Sequence, residues 1–244
     1  MQENCIEIPL LGKKTKTYKN GDKYEGDYVG GKREGKGVYF FKNGDKYEGE
    51  FKKGKKDGQG KYTYSNGNVY EGSWKDDEKN GKGVYYYLTY YNVAELRYKD
   101  IKDVCNIYTG DFKDGKFEGK GIVTFRNGDR YEGGFHDDKK EGYGEYKFKD
   151  GKVYKGNFVQ DNFEGDGTMY YPNDSKMTGL YHNSAPIGMH IKTFSNNEVE
   201  EVMFNDIWLL IIMFFSIKYV LRQYYFVSSI LLNYNILFIE FSIN

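Results

Sequence analysis

Tyr47-Glu48-Gly49-Glu50-Phe51-Lys52-Lys53-Gly54-Lys55-Lys56-Asp57-Gly58-Gln59-Gly60 is the stretch that decides the fold. Strand alternation puts Tyr47, Gly49 and Phe51 on one face and Glu48 and Glu50 on the other. Recurrence is what gives this reading weight. The pattern Tyr-x-Gly-x-aromatic begins at Tyr24, Tyr47, Tyr70, Tyr108, Tyr131 and Tyr154. Four of the five intervals are 23 residues, and the fifth is 38, one period plus 15 inserted residues. Eleven and thirteen residues after each Tyr stand two glycines, from Gly35 and Gly37 through Gly58 and Gly60 to Gly165 and Gly167. Self-similarity at a fixed period is the signature of a repeat architecture.

The frame runs on at both ends. Gly12 lies one period before Gly35; Met177, Gly179 and Tyr181 lie one period after Tyr154, Gly156 and Phe158; Phe204 fills the next aromatic slot. The array therefore spans 12–204, with units at 24–46, 47–69, 70–107, 108–130, 131–153, 154–176 and 177–199. Degenerate end units are expected, because they cap the stack.

Asn20-Gly21, Asn43-Gly44, Asn66-Gly67, Asn127-Gly128 and Asp150-Gly151 close most units. Such dipeptides predict type I′ turns joining antiparallel strands. The run from Gly58 to Tyr64 places Gly58, Gly60, Tyr62 and Tyr64 on one face, so glycine and ring share a face in both strands of a unit. A ring lying across the gap left by a glycine lets a sheet stand without a second layer. The fold class is all-β: an elongated, twisted, single-layer antiparallel sheet of tandem 23-residue β-hairpins, with Glu, Asp and Lys on the reverse face. Seven units at the usual strand spacing reach roughly 65–70 Å, held by nearest-neighbour contacts.

These residues resemble the MORN repeat, whose pattern is Tyr-x-Gly-x-Trp-x-x-Gly followed by two glycines and a polar turn. Trp74 carries the usual aromatic, and Tyr28, Phe51, Phe112, Phe135, Phe158 and Tyr181 stand in for it elsewhere. The resemblance implies a binding or scaffolding module of ciliary, cytoskeletal or membrane-junction proteins. It also implies that enzymatic members, such as phosphatidylinositol-phosphate kinases and a histone lysine methyltransferase, carry their chemistry in other domains.

Composition agrees with a non-enzyme. The 244 residues hold 36 basic and 36 acidic side chains, so bulk charge attracts no nucleic acid. Cys5 and Cys105 have no zinc or disulfide spacing, and two isolated thiols with no secretory leader predict a cytoplasmic setting. Gly30 to Gly37 nearly spells a phosphate-binding loop, but Gly37 stands where Ser or Thr is required and the loop recurs at Gly115 to Gly121. His136, His182 and His190 form no metal-ligand pattern and read as surface residues. Asp111 to Gly115 lacks the rest of a calcium loop, and Asn173-Asp174-Ser175 is a glycosylation sequon without use in that compartment. No catalytic residue, cofactor or metal is expected.

Two sets of residues are candidates for binding. Tyr28, Phe51, Trp74, Phe112, Phe135 and Phe158 recur at one sheet position and would line an aromatic groove for a protein partner. Lys32, Arg33, Lys52, Lys53, Lys55 and Lys56 sit at equivalent loop positions and would face anionic phospholipid. The same loops elsewhere carry Asp76-Asp77-Glu78 and Asp137-Asp138, which fits plain solvated turns equally.

Two segments break the frame. The insertion at about 88–107 has apolar residues enough to fold back as a hairpin or short helix. The tail, 205–244, is apolar but interrupted: Ile207 to Ile217 is shorter than a bilayer span, and Lys218 and Arg222 follow it. It reads as a membrane anchor, as a cover for the groove, or as translated non-coding sequence. The expected function is a non-catalytic scaffold holding a protein partner, beside a membrane or the cytoskeleton. Direct phosphoinositide binding and a fragment of a larger enzyme are the alternatives.

Overall fold

The computed structural model describes residues 12–88 and 104–204. Cys5, most of the insertion and the tail at 205–244 lie outside the described residues. Sixteen strands occur in order: β1 (Gly12–Thr17), β2 (Lys23–Val29), β3 (Lys32–Phe40), β4 (Lys46–Lys52), β5 (Lys55–Thr63), β6 (Val69–Lys75), β7 (Glu78–Tyr87) and β8 (Asn106–Lys113). There follow β9 (Lys116–Thr124), β10 (Arg130–His136), β11 (Lys139–Lys147), β12 (Val153–Val159), β13 (Asn162–Tyr170), β14 (Lys176–His182), β15 (Ala185–Thr193) and β16 (Val199–Phe204). All sixteen form one sheet in sequence order, each strand antiparallel to the next. The all-β single-layer array read from the sequence is what forms.

The glycine pattern explains how one layer stands alone. Gly26 pairs with Gly37, Gly49 with Gly60 and Gly72 with Gly83. Over each pair lies the ring of the unit's Tyr: a Cβ on Gly37, Gly60 or Gly83 would fall on the ring of Tyr24, Tyr47 or Tyr70. The hydroxyl then donates to a carbonyl three residues on, Tyr47 to Glu50 at 2.9 Å and Tyr70 to Ser73 at 2.8 Å. Tyr24, Tyr47, Tyr70, Tyr108, Tyr131 and Tyr154 are all fully buried. The slot aromatics fill the spaces between them. Phe51 meets Tyr24 and Tyr47 edge-on at 5.1 Å each, and Trp74 meets Tyr47 and Tyr70 edge-on at 5.2 Å each. This herringbone runs the length of the array as its core, each edge-to-face pair adding roughly 0.5–1.5 kcal/mol beyond burial.

The turns depart from expectation. At Lys19-Asn20-Gly21 only the glycine has positive φ (93°), the Gly21 amide donates to the Tyr18 carbonyl at 3.0 Å, and Tyr18 N donates to the Asp22 carbonyl at 2.9 Å. This is a three-residue loop, a type I turn closed by a left-handed glycine. The Asn20 side chain accepts the Asp22 amide (3.1 Å), which fixes Asn20 itself at ordinary φ. Type I′ geometry occurs at the other ends of the strands. There both turn residues are left-handed: Gly30-Gly31 (55° and 76°), Asp76-Asp77 (49° and 78°) and Asp137-Asp138 (48° and 67°).

Both margins of the ribbon are stitched from unit to unit. On one, Asp22 accepts the Tyr39 hydroxyl (2.7 Å) and the Lys42 amide (2.8 Å) of the following turn, and Asp45 accepts Tyr62 and Ser65 likewise (2.7 Å each). On the other, Gly54 N donates to the Arg33 carbonyl at 2.9 Å and Asp77 N to the Lys56 carbonyl at 3.0 Å.

Candidate interaction surfaces

The six slot aromatics serve the core. Tyr28, Phe51, Trp74, Phe112, Phe135 and Phe158 are at most 7% exposed. The expected groove over them therefore presents little of their area, because each ring from Phe51 to Phe158 is enclosed by the Tyr of its own unit and that of the preceding one, and Tyr28 by Tyr24. A second row, including Tyr18, Phe41, Tyr64 and Phe148, is half-buried beside them.

Two of the predicted loop cations are not in the loops. Arg33 and Lys56 turn onto the aromatic face, Arg33 lying 4.7 Å from the Tyr39 ring and Lys56 4.0 Å from the Trp74 ring. Lys79 and Lys140 repeat the arrangement over Tyr85 (4.8 Å) and Tyr131 (5.8 Å). At the same phase Phe117 and Phe163 take the place of the cation, stacking on Tyr108 at 3.7 Å and on Tyr154 at 3.8 Å. Position 33 of the frame is thus an inward site for a flat or cationic group, since a ring face attracts both. Burial pushes the Lys56 ammonium down to about 8, against the pull of Asp77. Arg33, Tyr39, Phe41, Tyr47, Phe51, Lys56 and Asp77 enclose a cleft of about 280 Å³. Lys32, Lys52, Lys53 and Lys55 stay exposed at the turn margin, Lys55 paired with Asp76 at 3.0 Å.

The reverse face is not the plain charged surface expected. It is troughed, with the backbone of the glycine pairs as floor. One hollow of about 870 Å³ runs over β1–β5, and another of about 810 Å³ over β5–β11; Gln59 lines both. Val38, Val84, Ile122 and Tyr143 stand among the charged residues of the walls. Every large apolar side chain left exposed among the described residues is also on this face. They include Tyr143 (64%), Tyr170, Leu180, Met189, Ile191, Val199 and Met203 (59%). Alternation forces this, because ring and glycine positions take the other face in each strand.

His190 corrects the reading of three surface histidines. His136 and His182 are exposed and lie 3.1 Å and 2.9 Å from Glu118 and Glu164. His190 is fully buried, between Tyr181 (5.3 Å) and Phe204 (4.9 Å), with neither ring nitrogen meeting a hydrogen-bond partner among the described residues, and burial lowers its pKa. Its ring occupies the space that a Cβ on Gly179 would enter, where other units hold their Tyr ring. The repeat frame contains the signal: His190 stands at the second-glycine position and Met177 at the Tyr position. The unit exchanges Tyr plus Gly for Met plus His and keeps one ring over its remaining glycine.

No group of three metal-ligating side chains occurs among the described residues, and no helix there is long and apolar enough to cross a membrane.

These features define a class, the tandem β-hairpin array, in which one face is spent on packing and the other is left open. The model of the MORN repeat matches residues 24–46, 47–69, 70–87, 108–130, 131–153 and 154–176, more than half of the chain. The chain belongs to the MORN repeat family, whose repeat is generally a non-catalytic binding module. No curated protein matches it. Among solved structures it is similar to the TCP domain of Drosophila melanogaster SAS-4 in complex with a proline-rich motif, at 16% identity and TM-score 0.42, covering 79% of this chain and 90% of that one. It is also similar to the TCP10 domain of Danio rerio CPAP, at 12% identity and TM-score 0.44, covering 78% and 83%.

Proposed function

We propose that this array is a non-catalytic scaffold that holds a protein partner against its troughed reverse face. One observation carries the reading: the exposed large apolar side chains all lie on the reverse face, most of them gathered on β13–β16 beside the hollow that Tyr143 helps to line. Contiguous apolar surface rimmed by polar groups is what protein interfaces present. The slot aromatics anchor the sheet beneath the partner, and the half-buried second row is the part of the ring face open to contact.

The test compares partner recovery, by cross-linking and mass spectrometry in cells, for wild type, for a reverse-face variant (Tyr143→Glu with Leu180→Glu) and for a ring-face variant (Phe41→Ala with Tyr64→Ala). Loss of the same proteins from the reverse-face variant alone supports the reading. Loss from the ring-face variant alone overturns it in favour of the aromatic groove.

Anionic-lipid binding through the turn margin is the second reading, favoured by the exposure of Lys32, Lys52 and Lys53. Flotation with phosphoinositide vesicles should then fall when these three are changed to Gln and should be unchanged by Lys56→Gln, whose ammonium lies over Trp74.

A further inference from the structure

The two outermost strands differ in charge and match in phase. β1 (Gly12-Lys13-Lys14-Thr15-Lys16-Thr17) holds three lysines and no acid, and β16 (Val199-Glu200-Glu201-Val202-Met203-Phe204) holds two glutamates and no base. Each has a neighbour on one side only among the described strands. Lys13, Lys14, Lys16, Glu200 and Glu201 are all exposed, and Glu200 has only a loose ion pair, to Lys192 at 3.9 Å. Val199 and Met203 add exposed apolar surface to the same edge (63% and 59%).

Within the array every unit is an even-numbered strand followed by an odd-numbered one, as β2 is followed by β3. β16 is even and lacks its follower; β1 is odd and lacks its predecessor. With sixteen strands, β1 and β16 run in opposite directions, as neighbours in this sheet must. The register of β2 with β3 pairs Lys23 with Phe40, Tyr24 with Tyr39, Glu25 with Val38 and Gly26 with Gly37. Carried to the ends by the repeat frame, it sets Val199 opposite Thr17, Glu200 opposite Lys16 and Glu201 opposite Thr15 of a second copy, one opposite-charge pair; Val202 and Lys14 fall where internal units hold their close glycine pair, so the ladder at this junction widens there. Opposite charges directly across a strand pair are favourable, and like charges are not.

From this we infer that the array assembles head to tail, β16 of one copy pairing with β1 of the next and continuing the sheet. Edges pairing with their own kind would set Lys against Lys or Glu against Glu and would break the even–odd phase. A heterologous contact of this kind does not close, so copies add into a twisted filament that advances about 75 Å per copy at the ~4.8 Å strand spacing. The partner is a second copy of this chain, and the inference stands independently of what the reverse face binds.

The experiment uses the full chain and two charge-reversed variants, Lys14→Glu with Lys16→Glu and Glu200→Lys with Glu201→Lys, each checked for β-sheet content by circular dichroism. Sedimentation velocity across a concentration series, with negative-stain microscopy, reads assembly. Wild type should assemble, and salt should weaken it. Each variant alone carries like charge on both edges, so its midpoint concentration should rise about tenfold or more, the equivalent of a little over 1 kcal/mol at the contact. An equimolar mixture restores opposite charges at every junction and should assemble again. A wild type that stays monomeric throughout, as when the chain's own residues 1–11 or 205–244 cover the edges, overturns the inference. So does assembly that ignores charge reversal, or a mixture that fails to recover.

Discussion

The second glycine of each unit is the position at which a single methyl group matters most. A Cβ on Gly60 would land on the ring of Tyr47, which is fully buried and hydrogen-bonded to Glu50. Gly60→Ala should therefore cost about 1–3 kcal/mol through overpacking, measured by urea denaturation. Gly54, left-handed but with open space around it, should cost about 1 kcal/mol on the same substitution, from backbone conformation alone. His190 makes the complementary case. Its pKa in the fold lies below the ordinary 6.5, so the unfolded chain binds the proton more readily. Its contribution is complete above pH 6.5 and is lost as pH falls through the folded value. The double change Met177→Tyr with His190→Gly rebuilds the usual ring over two glycines. It should remove that pH dependence and be more stable than the two single changes sum to, by about 0.5–3 kcal/mol. Tyr and Gly were legible in the sequence because they recur; His190 was not, because its reading depends on noticing two compensating departures in one unit.

At the scale of the strand and turn, the hairpins were legible but the turn types were exchanged. Asn-Gly is the usual type I′ dipeptide, yet here the chain spends three residues on that turn and the Asn side chain holds it. The turns with two left-handed residues are Gly30-Gly31, Lys53-Gly54, Asp76-Asp77, Asp114-Gly115, Asp137-Asp138, Gln160-Asp161 and Asn183-Ser184; Gly-Gly and Asp-Gly among them are ordinary type I′ signals, while Lys-Gly, Asp-Asp, Gln-Asp and Asn-Ser are not. The residue after each Asn-Gly has the larger role. The Lys42 amide, then the Tyr39 hydroxyl, hold the Asp22 carboxyl below its ordinary pKa. A depressed folded pKa stabilises above the unfolded value and loses that contribution as pH falls through the folded one. Asp22→Asn should therefore flatten the loss of stability below about pH 4, followed by acid titration of tryptophan or tyrosine fluorescence. The inward turn of Arg33 and Lys56 was legible in the alternation, which gives Arg33 the face of Gly35, Gly37 and Tyr39 and Lys56 the face of Gly58, Gly60 and Tyr62; grouping them with the neighbouring loop lysines hid it.

For the whole molecule, strand pairing joins only successive strands, and the ring herringbone links only successive units. Removing residues 131–153 would delete one period and leave Tyr108 facing Phe158 in place of Phe135, with the frame unbroken. The shortened protein should fold, lose about 10 Å of length by small-angle scattering, and unfold at lower urea concentration as nearest-neighbour coupling requires. The 38-residue interval shows that addition obeys the same rule. β7 and β8 pair from Gly81 and Phe112 to Tyr87 and Asn106, and Tyr70 meets Phe112 at 4.8 Å, as though no extra chain intervened. A segment spliced into that tip thus leaves the strand register beneath it unchanged. The array can acquire new sequence at its Asn-Gly rim by ordinary insertion, one loop at a time, without renegotiating any strand already in place.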